Sequence, residues 1–156
     1  MSTFLAWLQF LALGLWLGSD VFLSFVVAPG AFRILNSRDQ AGAIVGYSLS
    51  AMHFAGILYG IVFLAARILR ARTFASLATP AGLCVAFMIV VTAISQSTVS
   101  PRMAHLRVQM GSIQATAADS PLLAEFGRLH RVSVSLESAV LLLGLAALFF
   151  LVREMR

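Results

Sequence analysis

"MSTFLAWLQFLALGLWLGSDVFLSFVVAP", residues 1–29, holds one charged side chain, Asp20, in an otherwise apolar run. A helix crosses the hydrocarbon core of a bilayer in ~20 residues. This run is long enough to cross. It has no basic leader and is too long for a signal-peptide core, so it reads as a retained span. A charge at the centre of a membrane helix costs ~2.5–3.5 kcal/mol. Asp20 therefore needs a partner, and the search for that partner organises the reading of the rest of the chain.

Three more runs have spanning length. The spans are expected at about 4–28, 42–67, 77–99 and 130–152. The chain has 156 residues, of which 60% are hydrophobic and 11% charged, with a mean hydropathy of +0.95. Soluble domains carry about 25% charged residues. The fold class expected is all-α, a polytopic integral membrane four-helix bundle forming a single membrane domain over 1–156. Pro29-Gly30 is expected to end the first span, Pro80 to open the third, and Pro101 to follow it. Within the long connection 100–129, "PRMAHLRVQMGSI" reads as helix, "QATAADSP" as loop, and "LLAEFGRLHR" as helix rising into the fourth span. Residues 31–40 and 67–73 read as short connectors.

The net charge of +5 comes from eleven arginines and no lysine. These arginines lie at the ends of the apolar runs, where they meet lipid headgroups, and not on a nucleic-acid surface. The partners expected are the lipid bilayer and a second copy or another membrane protein, with no nucleic acid. Both termini and the 67–73 turn share one face, A. The other two connections share face B. Five arginines on face A against six on face B leave orientation open. The lone Cys84 forms no intrachain disulfide.

Helical rise places polar groups from all four runs at one level. Asp20 and Glu137 fall about 9–12 Å in from face B, and His53 about 9–18 Å. Gln96 lies near the face B end of the third run, beside Ser95, Ser97 and Thr98. Helical stripes link Gln9, Trp16, Asp20 and Ser24; Ser50 and His53; Thr92, Ser95 and Gln96; and His130, Ser133 and Glu137. Lipid offers polar groups no partner, so these stripes should face the bundle interior. The candidate cluster is Asp20, His53, Gln96 and Glu137, with Asp20 and Glu137 on one shared cavity and His53 just beneath. Arg102, His105, His130 and Arg131 are the candidate rim.

The stretches "LGLWLGSDVFLSFVVAPGAFRIL" (13–35), "STVSPRMAHLR" (97–107) and "EFGRLHRVSVSLESAVLLLGL" (125–145) resemble a bacterial four-span membrane family. It is catalogued as domain of unknown function 4149 and is akin to transmembrane protein 205-like proteins. The resemblance covers nearly the whole chain and implies a multi-pass protein of the bacterial inner membrane, with no assigned activity. A weaker likeness runs to the copper-resistance protein D domain and to the haem-associated four-helix protoporphyrinogen oxidase of bacteria. Trp16 and Gly18 match their pattern, but Gln9 stands where those families place a histidine.

The residues support three classes of function. In the first, an accessory or structural membrane protein uses the polar cluster to join helices or to hold a partner or lipid. The second is a haem- or copper-binding protein with His53 as the best candidate ligand. Bis-histidine haem through His53 and His130 is disfavoured by their different depths, and Met103, His105 and Met110 form an alternative copper set. The third is a small proton-linked transporter subunit using the intramembrane carboxyls. No nucleophile–base–oxyanion set is visible, so catalysis is not expected.

Overall fold

The computed structural model describes residues 2–154. Four helices are long and apolar enough to cross a membrane: α1 (Ser2–Ile34), α2 (Arg38–Ala71), α3 (Pro80–Met110) and α4 (Pro121–Glu154). At 31 to 34 residues each, they run about 45–50 Å. That exceeds the ~30 Å hydrocarbon core, so their arginine-bearing ends project beyond it. No strand occurs among the described residues.

The helices are punctuated as short polar caps dictate. Ser37 accepts from the Gln40 amide at the start of α2, and Thr79 accepts from the Gly82 amide ahead of Pro80 in α3. A 3₁₀ turn over Phe74–Ala78 links α2 to α3. The short α1–α2 turn and the loop after Met110 lie together on face B. There Asp39 accepts from Ser112 Oγ at 2.6 Å and from the Ile113 amide at 2.8 Å.

Pro29 and Pro101 do not end their helices. Each comes after a five-residue π-turn, Leu23–Val27 in α1 and Ser95–Val99 in α3, and the helix resumes to Ile34 and to Met110. Proline donates no amide and its ring crowds the preceding turn. The wider π-turn makes room for it: the Ala28 amide reaches back to Leu23 O and the Ser100 amide to Ser95 O. An extra residue per turn also rotates the remainder of the helix by about 100°. Both π-turns sit at the level of the polar cluster, a common association of such turns with functional sites.

Neighbours pack in cyclic order, α1 on α2, α2 on α3, α3 on α4 and α4 on α1. The face A half holds the main core, with Leu13, Trp16, Phe63, Val85, Met88, Val140 and Leu151 all buried. Trp16 lies flat on α2 because Gly56 and Gly60 leave it room. A Cβ at Gly56 would stand 2.6 Å from the indole, and one at Gly60 2.7 Å from both the indole and Ile89. Gly56→Ala is therefore expected to destabilise the fold by about 1–3 kcal/mol, read by detergent-titrated unfolding; a variant as stable as the parent would contradict this packing. A smaller apolar cluster of Val99, Leu106 and Leu129 closes the face B end between α3 and α4.

α1 and α4 part company towards face B. The Ser2–Phe22 portion of α1 packs on α4, whereas Leu23–Ile34 packs on α2 and makes at most slight contact with α4. The π-turn and Pro29 thus leave a lateral cleft between α1 and α4.

Candidate functional site: a carboxyl-floored vestibule

Asp20, the last buried residue of α1 before its π-turn, is 1% exposed, and His53 on α2 is equally buried. Gln96 lies within the π-turn of α3, and Glu137 in the middle of α4. Three of these four are joined directly. His53 Nδ1 lies 2.8 Å from Gln96 Oε1, and His53 Nε2 lies 2.6 Å from Glu137 Oε1. The Gln96 amide nitrogen donates to Ser50 Oγ at 2.7 Å.

That orientation of Gln96 fixes the proton inventory. Its carbonyl oxygen faces His53, so Nδ1 carries a proton and donates it. Nε2 and Glu137 Oε1 then share one more proton, as imidazolium and carboxylate or as imidazole and carboxylic acid. Either way the pair is neutral overall. Asp20 stands beside it, in electrostatic range of both Glu137 and His53. Ser24 Oγ donates to Asp20 Oδ1 at 3.3 Å.

Two carboxyl oxygens are left over. Asp20 Oδ2 and Glu137 Oε2 are buried without a hydrogen-bond partner among the described residues. Thr92 Oγ1 and Ser95 Oγ are in the same position. An unsatisfied buried polar atom costs about 1–3 kcal/mol, more if charged. Asp20 and Glu137 line one cavity of about 1020 Å³ at the face B end. Ser24, Ser50 and Gln96 complete its polar floor, while its walls are apolar, with Leu23, Phe25, Leu49 and Leu141 among them. The cavity draws on all four helices, with Phe25 and Phe32 of α1 and Val134 and Leu141 of α4 among its lining.

The rim differs from the sequence expectation. Of the four residues singled out, only His130 lines the cavity. Arg102 and His105 border a separate shallow groove with Glu125, and Arg131 is exposed. In their place stand Arg38 and Arg107. Arg107 lies beyond the π-turn of α3, whose extra residue turns it inwards. Among the described residues, the main signal for it in sequence is Gly42 and Gly46, whose missing side chains admit the guanidinium.

His53, the candidate ligand for haem or copper, is already engaged. Both ring nitrogens of His53 are occupied by Gln96 and Glu137, leaving no lone pair for a metal without breaking that chain. Met103 and Met110 pack on the face B apolar cluster, while His105 points into the other groove. Among the described residues no group of three His, Cys, Asp or Glu is arranged to hold a metal ion.

A second polar cluster lies at face A, where the sequence reading placed only flanking arginines. Arg67 is buried at the end of α2. It donates through Nε to Ser76 O at 2.7 Å and through Nη1 to Gln9 Oε1 at 3.4 Å, and through Nη2 to Thr79 Oγ1 and Glu154. Gln9, the residue standing in the histidine position of the haem-associated pattern, here accepts from an arginine. Glu154 also accepts from the Ala81 amide, fastening α4 to the start of α3.

A family model described as "Domain of unknown function (DUF4149)" matches residues 11–112. The chain belongs to that family. The match takes in Asp20, His53 and Gln96 and stops before α4, so Glu137 lies outside it. No curated protein and no solved structure matches the chain. With its four spanning-length helices, this member of the family is an integral membrane protein of unassigned activity.

Proposed function

We propose that the protein is an accessory component of the bacterial inner membrane that binds a membrane-dissolved amphiphile. The amphiphile enters sideways between α1 and α4 and sets a cationic, hydrogen-donating group against Asp20 and Glu137. The observation that carries this reading is that Asp20 and Glu137 both line the cavity and each keeps one buried carboxyl oxygen without a hydrogen-bond partner among the described residues. His53, Gln96 and Ser50 satisfy one another between α2 and α3, whereas the two carboxyls that line the cavity each keep an oxygen that the fold does not use. With the His53–Glu137 pair neutral overall, ionisation of Asp20 against a bound cation gives the floor one negative charge, which suits one ammonium group.

Dodecylamine is the probe. It is expected to raise the thermal stability of the purified protein, by mass action on the folded state. Asp20→Asn should abolish that shift. A proton and an ammonium compete for the same carboxylates, so binding should weaken as the pH falls. An equal shift in wild type and Asp20→Asn, or no shift at any pH, would overturn the reading.

A further inference from the structure

The mouth of the cavity carries charge of the opposite sign to its floor. Arg107 lies across α2 where Gly42 and Gly46 leave it room; a Cβ at those positions would stand 3.3 and 2.9 Å from its terminal nitrogens. Its other face covers the Phe126 ring, 5.4 Å from the centroid. The guanidinium thus lies between the α2 backbone at Gly42 and Gly46 and the Phe126 ring. Yet it makes no hydrogen bond among the described residues, and its Nε is buried without a partner. The nearby carboxylate, Asp39, is already held by Ser112 and Ile113. Arg38 adds a second positive charge at the same opening. Two arginines less one aspartate leave the mouth with a net charge of +1.

We propose that the vestibule is a bipolar site for the zwitterionic headgroup of a membrane lipid, with a phosphate on Arg107 at the mouth and a primary ammonium on Asp20 and Glu137 at the floor. This rests on the reading of the floor given above and extends it to the other end of the ligand. Arg107 abuts Gly46, and Ser50 and His53 lie four and seven residues deeper on α2. The two charged ends are therefore about 6–10 Å apart along the axis, within reach of a phosphate and an ammonium joined by a short linker. A guanidinium presents paired donors to phosphate oxygens. The apolar walls and the cleft between α1 and α4 accept the chain of the lipid. A free zwitterion in solution offers the same two charges but nothing to those walls.

Four probes separate the parts, each titrated against the whole purified chain by calorimetry: dodecylamine, dodecyl phosphate, dodecylphosphoethanolamine and soluble phosphoethanolamine. Dodecylphosphoethanolamine is expected to bind about tenfold more tightly than either single-charge amphiphile, the size of one charge-assisted hydrogen bond. Arg107→Gln should remove that gain and leave dodecylamine binding in place, and Arg107→Lys should retain part of it. Soluble phosphoethanolamine should bind far more weakly. Intact dodecylamine binding with no gain from the added phosphate would overturn the site at the mouth and leave the floor standing. Binding of dodecyl phosphate without dodecylamine would overturn the floor. Soluble phosphoethanolamine binding as tightly as its dodecyl form would make the ligand a solute and overturn the assignment to lipid. Loss of all binding on dimerisation would overturn it too, by assigning the cleft to a second copy of the chain.

Discussion

Arg67→Leu is expected to cost about 3 kcal/mol of stability, the low end of the range for breaking a buried ion pair from one side. Arg67 ties four pieces of chain together at face A: Gln9 of α1, its own helix, the Ser76–Thr79 turn and Glu154 of α4. Removing it takes a donor from Glu154 and from Gln9 Oε1, while the Ser76 carbonyl keeps the Thr79 hydroxyl at 3.1 Å. The low end applies because Glu154 keeps some access to water, its side chain being 24% exposed. Glu154 also keeps the Ala81 amide. Unfolding by denaturing detergent reads the loss. The double variant Arg67→Leu/Glu154→Leu should recover much of it, since no charge is then stranded. Equal stability of the single variant and the parent would show that the cluster contributes nothing to the fold.

His53→Leu is expected to be of similar size, about 2–5 kcal/mol, because it strands two groups at once. His53 is 1% exposed and is the only link between Gln96 and Glu137 among the described residues. Leucine fills its volume but leaves the Gln96 carbonyl and the Glu137 carboxyl facing apolar surroundings. His53→Gln, which can still donate and accept, should lose less than half as much. Glu137→Gln should be milder again, since an amide can donate to Nε2 where the carboxyl stood. If His53→Leu and His53→Gln unfold together with the parent, the chain of hydrogen bonds carries no energy, and the arrangement of the floor loses its physical basis.

How far the sequence discloses this molecule depends on which signal each residue leaves. Four apolar runs of spanning length are a composition signal and survive any detail of packing. Asp20 and Glu137 are legible because a carboxyl at membrane depth is costly and two helices bear that cost at one level. His53 and Gln96 are legible because helical periodicity sets them on polar stripes. The rim is not legible. It lies past the π-turn of α3, and a 3.6-residue period projected through Ser95–Val99 points at the wrong face. That turn places Arg107, not Arg102, at the cavity. Pro29 and Pro101 mislead for the same reason, since a proline reads as a helix end unless a wider turn precedes it. The Arg67 cluster is hidden differently. An arginine at the end of an apolar run reads as a headgroup anchor, and only tertiary packing brings Gln9 and Glu154 to it from the two outer helices.

The central claim is that Asp20 and Glu137, each with a carboxyl oxygen the fold leaves unpartnered, line a cavity reached from the bilayer. Dicyclohexylcarbodiimide, which dissolves in lipid and reacts with carboxylic acids, tests it directly in native membranes, with the modified residues found by peptide mass spectrometry. The chain carries six carboxyl side chains, so the other four serve as internal controls. Asp20 or Glu137 is expected to be labelled ahead of Asp39, Asp119, Glu125 and Glu154, and N,N-dimethyldodecylamine, a tertiary amine whose ammonium form donates one hydrogen bond and which the activated carboxyl cannot convert to an amide, should suppress that labelling alone. Labelling of neither residue in the folded protein, with both labelled once it is unfolded in detergent, would contradict the claim.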